Sequence, residues 1–180
     1  MRTNRLAHIK LGRRSVILIP LCLLALAVLP AVAPAGDAPM IFVMDRCEPD
    51  SFNAVLGEDG CVRNGGVTFD VFERRLNPQD GGHNAWRNSR HDIVLAADQH
   101  LTAVNSGGEV HTFTEVVNFG AGIVPPLNAA LPPGTPPAQP VGALNFFGAG
   151  ETLELDTLPA GTHRFQCLIH PWMRTVVEQR

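Results

Sequence analysis

Cys167-Leu168-Ile169-His170-Pro171-Trp172-Met173, near the C-terminus of this 180-residue chain, places a thiol, an imidazole and a thioether within seven residues. Soft sulfur donors together with imidazole suit copper or zinc rather than hard cations. Side chains on a regular strand alternate between faces, so three donors at this spacing need a turn to converge. Pro171 helps to make one. Taken singly, a buried Cys is a small hydrophobe and a Met a gap filler. Only a further imidazole from elsewhere in the chain would turn the stretch into a metal-ligand loop.

The candidate is His111. Around it, Leu101–Asn105, then Ser-Gly-Gly, then a segment containing His111 and Thr114 read as strand, turn and strand. On the alternating register His111 and Phe113 share one face, while Thr112 and Thr114 point the other way. The segment Asn105–Thr114 followed by Gly161-Thr-His-Arg-Phe-Gln-Cys-Leu-Ile-His-Pro-Trp-Met173 resembles the cupredoxins, in particular the plastocyanin-like family. The short gap between His170 and Met173 is similar to that of amicyanin. The resemblance implies an all-β Greek-key sandwich and one type 1 copper ion, with His111, Cys167 and His170 as strong ligands and Met173 as the weak axial one. It also implies that Asn105 and Thr112 hold the ligand loops by hydrogen bonds. A surface electron port would lie at His170, with Pro171 and Trp172 around it; the other reading of Trp172 is ordinary core packing.

The first 35 residues contain five basic and no acidic residues, with an apolar run from Val16 to Leu29. This pattern reads as a signal peptide cleaved after Ala33-Pro34-Ala35. The run falls short of the roughly 20 residues a membrane span requires, so a membrane anchor is expected only if cleavage fails. Export to the periplasm or secretion follows. Residues 36–180 then hold nine basic residues, all Arg, against 17 acidic, for a net charge of about −8. Such a surface argues against nucleic acid as a partner and favours a redox protein with a basic docking face. A monomer is expected.

Three cysteines remain after cleavage. Cys47 and Cys61 are close enough in sequence to form a disulfide, permitted in an exported chain and contributing roughly 3 kcal/mol by restricting the unfolded state. Their alternative role as metal ligands lacks a nearby imidazole. Cys167 would be left unpaired, and metal coordination gives an exported thiol a reason to stay so.

Residues 36–84 lie outside the resemblance and read as an N-terminal extension ahead of a copper-binding domain at 85–180. In the extension, Met40–Met44 suits a strand, Asp50–Leu56 a turn or two of helix, and Thr68–Leu76 a helix capped by Thr68, with Phe69, Phe72 and Leu76 on one face. Trp86 is expected in the core. Strands are expected over 91–95, 99–105, 141–147, 151–158, 161–167 and 174–178. The stretch 125–140, with seven prolines, reads as an irregular surface crossover. His163 shares a face with Phe165 and Cys167, and its expected role is packing or hydrogen bonding rather than ligation.

Single-electron transfer is the function that the resemblance implies; the protein would not be an enzyme. Two other classes stand beside it: a copper storage or delivery module, and an electron-entry domain of a copper oxidase or reductase. The second would need extra copper ligands such as a His-x-His pair or a His flanking Cys167, and the chain has Gln166 and Leu168 there and no such pair. The first tends to use Met- or His-rich tracts, and beyond residue 35 only Met40, Met44 and Met173 remain.

Overall fold

The alternation that marks strands in the sequence is also the pattern of burial. In β1 (Met40–Met44) Ile41 and Val43 turn inward, and in β4 (Leu101–Asn105) Leu101, Ala103 and Asn105 do. The computed structural model describes residues 38–180; the signal peptide read over residues 1–35 lies outside them. The remaining strands are β2 (Arg87–Asn88), β3 (Asp92–Leu95), β5 (His111–Thr112), β6 (Thr114–Glu115), β7 (Phe146–Phe147), β8 (Thr152–Leu155), β9 (Gly161–Gln166) and β10 (Arg174–Gln179). No helix among the described residues is long and apolar enough to cross a membrane.

Two four-stranded sheets result, ordered β2-β1-β4-β8 and β3-β10-β9-β6, with β5 and β7 forming a separate pair. Most neighbours are antiparallel, but β1 runs parallel to β4, and β3 parallel to β10. The inward residues of both sheets form the core: Ile41, Val43, Leu101 and Ala103 from one, Ile93, Leu95, Phe165 and Val177 from the other. Phe113, between β5 and β6, stacks on Phe165 with ring centroids 4.7 Å apart. This is the all-β sandwich expected from the sequence. The stretch 36–84, however, is woven into it, because Met40–Val43 pairs with β4 from Thr102 to Asn105.

Two short helices follow β1. Helix α1 (Pro49–Leu56) begins with a proline and is capped by the Glu48 carboxylate, which accepts from the Asp50 and Ser51 N–H groups. Helix α2 (Phe69–Arg75) starts after Thr68 as expected, yet the Thr68 hydroxyl does not cap it. The Ser51 hydroxyl of α1 takes that place, accepting from Phe69 N–H at 3.0 Å and tying the helices together. Cys47 and Cys61 form the expected disulfide, buried beneath the helices. The aromatic stripe packs inward: Phe72 lies 4.5 Å from Trp86 and Phe52 stacks on Trp86 at 5.8 Å, centroid to centroid. Trp86 is fully buried, as expected.

The proline-rich crossover is more ordered than its composition suggests. Pro125–Ala130 forms a 3₁₀ helix, and bridges join Val116 to Pro140 and Ala121 to Pro137. Proline supplies no N–H, but its fixed φ suits the first turn of a helix. Ala130 and Leu131 are thereby buried against the core.

Candidate metal centre

The loop joining β9 to β10 is closed by its own backbone. Cys167 N–H donates to Met173 C=O at 3.0 Å and Met173 N–H to His170 C=O at 2.9 Å, just inside the Gln166–Arg174 pair that ends the ladder. Met173, the sequence candidate for axial ligand, is buried at the loop's end. The N–H of His170 points at Cys167 Sγ, 3.4 Å away.

His111 arrives from the other side. Its Nδ1 lies 3.6 Å from Cys167 Sγ, and His170 Nδ1 lies 3.9 Å from the same sulfur. The three donor atoms fall within 4.8 Å of one another, and all three residues are buried. Donors bound at about 2.0–2.3 Å to one tetrahedral or trigonal ion would stand about 3.4–3.7 Å apart. The His111 separation matches this and the His170 separation is a few tenths wider. Residues 56 positions apart are thus brought together as the sequence required.

Thr112, next to His111, joins its strand to the loop. Its hydroxyl accepts from Leu168 N–H at 2.7 Å, and its own N–H donates to Cys167 Sγ at 3.4 Å. Asn105 shapes the turn before His111: its amide donates to the carbonyls of Glu109 and Phe147, and its side-chain oxygen accepts from Gly107 N–H. His163 takes no part in the cluster. Its ring nitrogens face Glu115 Oε1 at 2.6 Å and Pro159 C=O at 2.8 Å, the hydrogen-bonded role expected of it.

One expectation is corrected. His170, Pro171 and Trp172 are buried rather than a surface port, with His170 only 1% exposed. Phe72 and Trp86 sit over its ring at 6.4 Å, Trp172 flanks it at 5.5 Å, and Trp172 Nε1–H donates to Trp86 C=O. Trp172 packs so closely on Gly82 that a Cβ there would fall 2.1 Å from the indole. The segment read as a peripheral extension supplies Phe72 to this aromatic cover. His170 also lines an apolar cleft of about 580 Å³ between the two helices and residues 124–129, together with Phe52, Phe69, Leu127 and Glu109.

Two carboxylates escaped the sequence reading. Asp45 Oδ2 lies 2.9 Å from His111 Nε2, and Glu109 Oε2 lies 3.6 Å from His170 Nε2 while accepting from Trp86 Nε1–H. Nothing local marks Asp45, which is 66 residues from its imidazole. Glu109 carried a weak signal, two positions before His111. Burial pushes the Asp45 carboxyl up, but the hydrogen bond and charge of His111, with two backbone N–H groups, hold it below the usual range. Burial also raises the Glu109 carboxyl, and there it prevails. For Cys167 burial works against the thiolate, yet hydrogen bonds and charge from His111 and His170 bring the thiol well below its ordinary value. Asp45, Cys47 and Glu109 also converge, but the Cys47 sulfur is committed to the disulfide.

No family model and no curated protein matches the chain. Similar solved structures include a novel purple cupredoxin from Nitrosopumilus maritimus, at 12% identity and a TM-score of 0.44, covering 79% of this chain and 99% of that one. A Cu(I) methionine-to-alanine mutant of amicyanin is 16% identical with a TM-score of 0.37, over 52% of this chain and 73% of that one. A reduced Cu(I) proline-to-glycine mutant of amicyanin at pH 4 is 19% identical with a TM-score of 0.35, over the same shares. At these scores the weight rests on the chain's own two-sheet β-fold and on the convergence of His111, Cys167 and His170, which form a buried candidate metal site.

Proposed function

We propose that this chain is an exported type 1 copper protein that carries single electrons, binding one ion through His111, Cys167 and His170 with Met173 as a weak fourth donor. The observation that carries the reading is the approach of both Nδ1 atoms to Cys167 Sγ in a buried, hydrogen-bonded pocket. The donor set fits: one thiolate, two imidazoles and a thioether favour copper over hard cations and over a carboxylate-preferring metal. When bound, copper would supply one-electron chemistry by alternating between Cu(I) and Cu(II).

The protein's part is to keep the donors still. The sulfur is fixed by N–H groups of Thr112 and His170, and the loop by Thr112 Oγ1, so its arrangement is set before any ion arrives. A frame that holds one geometry for both oxidation states spares the reorganisation that would slow electron exchange. Aromatic cover excludes water from the sulfur and helps to set the potential. Burial of all the donors also disfavours rapid handover of metal, which a delivery module needs. No reaction of an organic substrate follows from this arrangement, and we read the protein as a carrier rather than an enzyme. The buried disulfide agrees with a periplasmic or secreted location, and the negative charge with a basic-faced redox partner and a monomeric carrier.

The test is spectroscopic. The copper-loaded protein should be strongly coloured from sulfur-to-copper charge transfer, with the narrow hyperfine splitting of a type 1 site in electron paramagnetic resonance. Cys167→Ser should remove the colour. A colourless Cu(II) form of the native chain would end the proposal.

A further inference from the structure

Behind His111, on the side away from the sulfur, stands a carboxylate that the ligand motif does not include. The side chains of Asp45 and His111 are both fully buried, with Asp45 Oδ2 2.9 Å from Nε2. An imidazole that donates from one nitrogen is left with the other as its lone-pair donor, so the hydrogen bond at Nε2 selects which atom can meet a metal. Here that choice falls on Nδ1, the nitrogen facing Cys167 Sγ.

Asp45 is itself held in place. Its Oδ1 accepts from the N–H of Cys47 at 3.1 Å and of Gly108 at 3.0 Å, and its Oδ2 from the N–H of Gly108 at 2.9 Å and of Glu109 at 3.1 Å. The Ser106–Glu109 turn therefore wraps the carboxylate that orients the next ligand. A Cβ at Gly107 would fall 1.8 Å from Asp45 Oδ2, and one at Gly108 would fall 2.6 Å from Cys47 Sγ, so the turn approaches this closely only as Gly-Gly. The disulfide at Cys47, two residues on, anchors the segment that carries Asp45.

We propose that Asp45 is a positioning residue of the metal centre: it holds the Nε2 proton of His111, presents Nδ1 to the ion, and lends the imidazole negative charge that favours the higher oxidation state. The effect on oxidation state rests on the copper reading above, whereas the choice of nitrogen applies to any ion bound there.

Three measurements on the full mature chain test it. In protein loaded with Zn(II), which is diamagnetic and redox-inert, NMR should show a slowly exchanging His111 Nε2 proton with the downfield shift of a hydrogen bond to carboxylate. Asp45→Asn keeps one acceptor oxygen for part of the backbone N–H set but loses the charge and the second acceptor. It should bind Co(II) about 10–100-fold more weakly, as loss of an outer partner of a ligand histidine does, and its copper form should have a higher reduction potential. A native Nε2 proton that is absent or in free exchange overturns the proposal, even if Asp45→Asn fails to fold. So does a folded Asp45→Asn protein with native affinity and potential. A native chain that binds neither Co(II) nor copper through Cys167 refutes the metal reading and this inference together, while native binding with an unaffected variant refutes only the role of Asp45.

Discussion

Thr112 shows how much a single side chain can fix. Fully buried, it offers its hydroxyl to Leu168 N–H and its backbone N–H to the Cys167 sulfur. Thr112→Val preserves shape but leaves the Leu168 N–H without an acceptor, a loss of about 1–3 kcal/mol for a buried donor. Urea denaturation of the metal-free variant should show that loss, and the absorption band of its copper form should broaden as the loop loosens. His163 gives a separate test through pH. Desolvation pulls its pKa down, but the hydrogen bond and charge of Glu115, with Pro159 C=O, outweigh it and raise the value above that of a free histidine. A group whose folded pKa is raised contributes stability in full below its unfolded value near 6.5 and loses it as pH rises through the folded value. Stability should therefore decline above about pH 6.5, and His163→Gln should flatten that part of the profile in a series of denaturation midpoints. At this scale the candidate ligands were legible because thiol, imidazole and thioether are rare enough to stand out at a seven-residue spacing. Asp45 was not, since a carboxylate two residues before a cysteine looks like any surface acid until a fold carries it to an imidazole.

At the scale of elements, local periodicity was enough for most of the strands and for α2, whose Phe69, Phe72 and Leu76 do turn toward the core, but of the strand expected over 141–147 only Phe146–Phe147 forms. What periodicity does not encode is the neighbour. β1 pairs with a strand some 60 residues later, and no local pattern distinguishes that from a separate extension. The same missing information put the electron port at the surface, because the cover over His170 comes from residues whose partners are remote. Phe72 is the centre of that cover, packed on Phe52, Trp86 and His83 and edge-on to His170. Phe72→Ala should cost about 3–5 kcal/mol, the usual range for removing a buried phenyl ring. It should also open a path to the imidazole. Stopped-flow reduction of the copper form by a small neutral reagent should accelerate, whereas substitution of the exposed Val94 on β3 should leave the rate unchanged. An unaltered rate in a folded Phe72→Ala protein would mean that electrons reach the site by another route.

For the whole molecule, charge and shape act together. With the proposed signal peptide removed, residues 36–180 contain 17 acidic side chains and nine basic ones, so beyond contact distance an ion approaching that mature chain meets an excess of negative charge of about eight units. The imidazole of His170 borders a cleft whose walls are mostly apolar and supply little attraction of their own. Long-range steering should therefore govern how often a reagent arrives, and the cleft how close it comes. Of two small redox reagents of similar size and driving force, the cationic one should exchange electrons with the copper form faster than the anionic one at low ionic strength. The screening length is about 30 Å at 0.01 M salt and 3 Å at 1 M, so the two rates should converge as salt is added. Convergence follows because steering is lost while the cleft is unchanged, which separates encounter from the transfer step. If the ratio instead persists at 1 M salt, the discrimination arises within the cleft, where Glu109 is the nearest acidic group, and Glu109→Gln should then remove it.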